Sequence, residues 1–306
     1  MTALIHPTAV VHPGAQLHPT VRVGPYAVIG EHVNVGAGTV IGAHVVLDGR
    51  TEIGDRNEIF PGAAIGLEPQ DLKYDGSISL VKIGHENRIR EYVTINRATQ
   101  AGDATVIGDC NLLMAYVHVA HNCLLENHIV IANAVSLAGH VHIESKAVIG
   151  GMTGIHQFVH VGQLAMIGGM ARVDRDVPSF MLAEGNPCRI RGLNQVGLRR
   201  AGLTHHDQGR AFQNLKQAFR FLYRDGLGFE AALEEIDHLG GDDSDDVVHH
   251  LRRFLHHSQE KGRRGLTPGR SRNAPNNAPG NRSDDSTQGS SVHSSSVQGT
   301  IHSSED

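Results

Sequence analysis

The strongest constraint on this 306-residue chain is a six-residue step. Counting in sixes from Ile5 to Val173 visits 29 positions, all Ile, Leu or Val except Asp71, Ser77 and Ala101. Ordinary composition would put those residue types at roughly a quarter to a third of positions. Six residues suit one short strand plus a turn. An inward side chain every sixth residue suits a three-sided coil of 18 residues per turn, whose strands stack in parallel about 4.8 Å apart over one aliphatic column. The chain is therefore expected to be mainly β, a parallel β-helix over residues 1–178. Gly24, Gly30, Gly36, Gly42, Gly54, Gly84, Gly108, Gly150, Gly162 and Gly168 each follow the repeating aliphatic residue. A positive φ at a tight corner would account for them.

The pattern breaks twice and returns in phase. Residues 66–82 and 97–105 are polar and read as loops ejected from the coil, the places where a rigid scaffold usually carries its site. After Pro178 the grammar becomes helical. Phe212, Leu215, Phe219 and Leu222 stand at helical spacing within Thr204–Arg224, with Thr204 as the expected cap and Gly226 as the stop. Phe229–Leu239 and Asp245–Ser258 read as two further amphipathic helices. The expected layout is a solenoid over 1–178, a C-terminal α-helical cap over 179–260, and a Ser/Asn/Gly/Arg-rich tail over 261–306 that is expected to be disordered.

A net charge of -5 argues against a general nucleic-acid-binding surface. No run of 18 apolar residues suggests a membrane span, and the first residues lack the pattern of a secretory signal. Cys110, Cys123 and Cys188 are odd in number and have no metal-like spacing, which fits reduced thiols in the cytoplasm. With 36 Gly and no Trp, the core must be aliphatic and the turns many.

Among 22 His, a group falls at His118, His121, His140, His142, His156 and His160. Histidine is common throughout this chain, so any single member could be an ordinary corner residue. The period sharpens the choice, because the repeat is unbroken from Ile107 to Val173. His121, Gly139 and Gln157 must share one column, with Asn122, His140 and Phe158 beside it. An imidazole next to an accessible glycine N–H offers a general base and an oxyanion donor. A zinc site using His118, His121 and His140 or His156 is the competing use of clustered His, although it would need a ligand from a neighbouring chain.

The segments QDLKYDG (70–76), NRIREYVTINRAT (87–99), NLLM (111–114), HVAHNC (118–123), LAGHV (137–141), GGMTGIHQF (150–158) and GNP…GLNQVGLRRAG (185–202) resemble the UDP-N-acetylglucosamine O-acyltransferases, which open lipid A synthesis. The resemblance extends over residues 1 to about 258. It implies a left-handed coil, an exception to the usual right-handed crossover, and a cytoplasmic homotrimer with sites between subunits. It also implies transfer of an (R)-3-hydroxyacyl chain from acyl carrier protein to the sugar 3-hydroxyl, with no cofactor beyond the donor's own phosphopantetheine and no metal. Residue by residue, His121 matches the general base and Gly139 the oxyanion donor. His118, His140, His156 and Gln157 match sugar-nucleotide or acyl-chain contacts, and Asp71 and Lys73 reach sugar and donor. Asn194 and Arg200 match the uridine diphosphate end, and Gly169 matches the acyl-length position, where a glycine leaves room for a long chain. Arg189, Arg191, Arg199 and Arg200 form a basic patch suited to an acidic carrier.

Two positions depart from the family pattern. Asn122 replaces the usual Asp after the base, and Val196 stands where the family has Glu. In a serine protease the comparable loss of the carboxylate costs about 10⁴ in rate through the wrong tautomer, so a working but slower base is expected. Three rivals remain: an N-acyltransferase of the same pathway, which would need a uridine-binding domain before the repeat; a metal-dependent hydratase of the carbonic anhydrase type; and a non-catalytic sugar-nucleotide binder.

Overall fold

The computed structural model describes residues 4–205, 209–239 and 247–270. Its described residues up to 173 coil into a three-faced prism of parallel strands, most only two residues long. Strands advance by 18 residues wherever no loop intervenes: His118 lies against Ser136, Ser136 against Gly154, and Gly154 against Arg172. The 18-residue column spacing is therefore the true register. Across the loops the step lengthens, with Glu58 beside Arg88 and Thr94 beside His118.

The aliphatic column is buried from Val23 to Val173, while Ile5 is exposed at the open end of the prism. A second inward set sits two residues earlier in each repeat, and part of it is polar. Asn57, Asn87 and Asn111 stack as a buried ladder in which Asn87 Nδ2 donates to Asn57 Oδ1 at 3.0 Å. Asn57 Nδ2 donates to Gly84 O and Asn111 Nδ2 to Glu126 O, both at 2.8 Å, so the ladder satisfies corner carbonyls that no strand could reach.

The corner glycines have a different role from the one expected. None of the ten takes a positive φ; the left-handed positions belong to larger residues such as Tyr26, Arg56, Asn122, His140 and Phe158. The glycines are required for close approach between coils. A Cβ on Gly54 would lie 2.5 Å from the Gly84 carbonyl oxygen of the next coil.

Beyond the prism a hairpin of Met181–Glu184 and Arg189–Leu193 continues one of its sheets, Leu182 lying in parallel beside Met166. Helix α1 (Gln195–Arg200) follows, a short element the periodicity does not announce. Helices α2 (Arg210–Tyr223), α3 (Phe229–Asp237) and α4 (Val247–His257) pack together through Leu215, Ala218, Leu233, Ile236, Leu251 and Leu255. Thr204 does not cap α2, which starts six residues later behind Gly209; Gly226 ends the segment with φ 78°. Residues 245 and 246, expected in the last helix, lie outside the described residues.

Residues 261–270, expected in the tail, instead run back along the solenoid. Leu266 bridges to Asp176 and Gly269 to Ile190, and Arg263 grips the buried Asp176 at 2.8 Å. Their polarity hid this, because the strip is held mainly by backbone pairing, side-chain hydrogen bonds and one ion pair, with Leu266 its one large apolar side chain packed on the core. The rest of the expected tail, 271–306, lies outside the described residues.

Candidate active site

One groove of about 660 Å³ runs over the second face of the prism, between the ejected loop at residues 70–73 and the column that follows His118. Asp71, Lys73, His118, His121, Gly139, His156 and Gln157 all line it, together with Gln70 and Arg172, which the sequence did not single out.

His121 sits at the corner where this face ends, directly below Gly139; the His140 N–H donates to its carbonyl at 3.0 Å. Its Nδ1 lies 3.0 Å from Asn122 Oδ1. An Asn carbonyl oxygen can only accept, so Nδ1 must carry a proton, and in the neutral ring the free lone pair is on Nε2, at the groove. Asp71 Oδ2 stands 4.0 Å from that Nε2. Asn122 has φ 58°, a left-handed turn that Asn and Asp tolerate better than other residues.

Gly139 is placed against the imidazole so closely that only hydrogen fits: a Cβ there would lie 2.5 Å from Nε2. Among the described residues its N–H meets no acceptor, while its carbonyl takes the Phe158 N–H at 3.1 Å. A donor with no acceptor among the described residues and an imidazole thus line the same groove side by side. That arrangement can take a proton from a hydroxyl and stabilise the oxyanion formed when its oxygen attacks a carbonyl.

The neighbouring imidazoles differ in setting. His118 is held by the Thr94 hydroxyl, 2.7 Å from its Nδ1. Burial, reinforced by nearby His121, keeps its pKa below the ordinary histidine range. His140 stacks on Phe158 with ring centres 4.6 Å apart and meets His121 edge-on at 5.2 Å. Burial lowers its pKa as well, with His121 adding and Asp103 and Asp71 opposing. Both rings are therefore neutral, hydrogen-bonding groups near neutral pH. His156 sits in the groove with its Nδ1 3.1 Å from the Gln157 carbonyl.

Arg97 organises the loop wall. It donates to Gly66 O at 3.1 Å, to Glu68 at 3.1 Å and to the Tyr74 hydroxyl at 2.9 Å, and lies over the Tyr74 ring. The two ejected loops thus form one substructure, and the positions of Asp71 and Lys73 depend on it. An arginine inside a polar loop carried no periodic signal, so only its place in the NRAT run could have marked it.

Three expected site residues lie elsewhere on this chain. Gly169 is exposed at the far corner of the same face, beside Gly151. Asn194 is buried and caps α1: its Oδ1 accepts the Gly197 N–H at 3.0 Å and its Nδ2 donates to Leu164 O at 2.8 Å. Arg200 is exposed at the end of α1. Among the described residues no group of three or more His, Cys, Asp or Glu converges as a metal cage, and no helix is long and apolar enough to cross a membrane.

Comparison with known proteins gives the family. A family model described as "Udp N-acetylglucosamine O-acyltransferase; Domain 2" matches residues 176–267, including the strip that carries Arg263 and Leu266. A protein of Synechocystis sp. named acyl-[acyl-carrier-protein]--UDP-N-acetylglucosamine O-acyltransferase is 59% identical over 218 residues, 71% of this chain and 76% of that one. One of the same name from Rippkaea orientalis is 61% identical over the same shares. The chain belongs to the UDP-N-acetylglucosamine O-acyltransferase family. Solved members superpose closely. The Moraxella catarrhalis acyltransferase is 37% identical with TM-score 0.79, covering 86% of this chain and 99% of that one. The Arabidopsis acyltransferase is 36% identical with TM-score 0.74, covering 86% and 100%. The prism is accordingly the left-handed parallel β-helix of this acyltransferase family, with a helical cap at its C-terminal end.

Proposed function

We propose that this chain transfers an (R)-3-hydroxyacyl group from acyl carrier protein to the 3-hydroxyl of UDP-N-acetylglucosamine, the first step of lipid A synthesis. The observation that carries the reading is that His121 and Gly139 stand against one another in the groove, the Gly139 N–H meeting no acceptor among the described residues. His121 removes the proton of the sugar 3-hydroxyl as that oxygen attacks the thioester carbonyl. The Gly139 N–H holds the oxyanion of the tetrahedral intermediate. When the carbon–sulfur bond breaks, the phosphopantetheine thiolate takes the proton back from the imidazolium, and the base is restored.

In this reading Asp71, Lys73, His118, His156 and Gln157 contact the sugar nucleotide and the donor from the groove walls, and His140 and Asn122 support the base. Arg200 serves the nucleotide diphosphate, and Asn194 shapes the turn that presents it. Gly169 leaves the acyl path open for a long chain. The assembly is a homotrimer with its sites between subunits, working in the cytoplasm without metal or cofactor, since the donor brings its own reactive thioester. The open groove and the exposed basic end of α1 fit such a partner-completed site.

The test is incubation of the purified protein with UDP-N-acetylglucosamine and a mixture of 3-hydroxyacyl carrier proteins, with products weighed by mass spectrometry. One O-acylated sugar nucleotide is expected, and its mass gives the chain length. His121→Ala should lower transfer by about 10²- to 10⁴-fold. Transfer by that variant near the wild-type rate would show the base is misassigned, and transfer lost to a chelator would favour the metal reading.

A further inference from the structure

The base of this protein is followed by an amide where a carboxylate would have held the imidazole more strongly. The structure places a carboxylate one step further out. Asn122 Nδ2 donates to Asp103 Oδ2 at 3.1 Å. On its other side, Asn122 Oδ1 accepts the backbone N–H of Thr99 and the Thr99 hydroxyl, each at 3.1 Å, as well as His121 Nδ1 at 3.0 Å. Thr99 and Asp103 both belong to the second ejected loop, which folds over the corner carrying His121.

These partners leave the amide only one orientation. A backbone N–H can only donate, so the atom facing Thr99 must be oxygen; an ionised carboxylate can only accept, so the atom facing Asp103 must be nitrogen. The oxygen so fixed is the one that meets His121, which leaves the ring no tautomer but the one protonated at Nδ1. We propose that Asp103 and Thr99 are positioning residues for the acyl-transfer base, acting through Asn122 in the order Asp103, Asn122, His121. The proposal rests on the reading of His121 as that base. Asp103 supplies, across a polarised amide, the negative charge that an adjacent carboxylate would supply directly, and so favours the imidazolium formed during transfer. Asp103 is exposed, so solvent weakens its charge and the effect is smaller than that of an adjacent buried carboxylate.

The swap of charge between the two positions tests this. Asp103→Asn keeps a side chain of the same shape and an oxygen to accept from Asn122, but removes the charge. It should lower kcat about tenfold, a modest share of the roughly 10⁴ lost when a triad carboxylate becomes an amide. KM should stay unchanged, because neither residue lines the groove. Adding Asn122→Asp to that variant moves the carboxylate next to the base. The double variant should return kcat to within about threefold of wild type, a recovery that a misfolded protein could not show. Unchanged kcat in Asp103→Asn, or a double variant no faster than the single one, overturns the proposal while leaving the acyl-transfer reading intact. Failure of the wild-type protein to transfer acyl groups overturns that reading and this inference together.

Discussion

His121 and Gly139 are locked together by the 18-residue register: the imidazole of one coil occupies the space where a side chain on the next coil would begin. Gly139→Ala should therefore displace the ring rather than the fold. Its Cβ, 2.5 Å from Nε2 if nothing moved, forces the imidazole away from the N–H with which it shares the reacting centre. A displacement of about 1 Å can cost about 100-fold in rate. We expect a drop of that order in kcat with a melting temperature close to wild type. Activity within twofold of wild type would mean that the ring position is not used in catalysis.

Arg97→Ala separates the two loops without touching the solenoid core. The arginine is largely shielded and holds Gly66, Glu68 and Tyr74 at once. Its loss frees the segment carrying Asp71 and Lys73. The specificity constant kcat/KM should fall about 10- to 100-fold through the misplaced wall. Steady-state kinetics at varied UDP-N-acetylglucosamine would detect this, and an unchanged kcat/KM would remove Arg97 from the site.

Much of this molecule is legible in the sequence because a six-residue period is a ruler. Multiplied by three it put His121, Gly139 and Gln157 in line, and the strand register agrees. The ruler has no marks inside the ejected loops. Thr99, Asp103 and Arg97 act through contacts that depend on how those loops fold, which no spacing encodes. The period marks the corner glycines as necessary, but their need is close approach between coils and not the positive φ the sequence suggests. A period shows where a small residue is needed, and coordinates are required to tell a positive φ from a close approach. Asn194 marks a further limit, because the motif that identifies it does not reveal that both ends of its amide are occupied within the fold.

The strip after α4 should be a structural clasp. Arg263 makes a two-pronged contact with Asp176, whose side chain is 2% exposed and also takes the His160 N–H and the Ser258 hydroxyl. Arg263→Ala leaves a buried carboxylate short of its cation, a loss worth about 3 kcal/mol even with the remaining donors. Thermal or denaturant unfolding should register that loss. A change below about 0.5 kcal/mol, the scale of ordinary surface substitutions, would reduce the ion pair to a surface contact.

Acid should loosen the contact between the cap and the solenoid. Glu144 lies between His160 of the prism and His250 of α4, with Nε2 atoms at 2.9 and 2.7 Å. Burial opposes its ionisation, but the close approach of His160 and the hydrogen bond from His250 outweigh burial and hold the carboxyl well below its ordinary range. His160 is also shifted down, by burial first, against the pull of Glu144. Both shifts act with the same sign. Between pH 6.5 and the lower folded value of His160, the unfolded chain binds a proton that the folded chain refuses, so stability falls as the pH drops. Below pH 4.5 the same holds for Glu144, whose contribution is present above that pH and is lost as the pH falls through its folded value. Each unit of depression is worth about 1.4 kcal/mol. Melting temperatures should therefore decline from about pH 7 to about pH 4, and His160→Phe should flatten the upper part of that decline by removing its titrating group. A wild-type melting temperature that stays level across the range would mean that these groups titrate alike in the folded and unfolded chains.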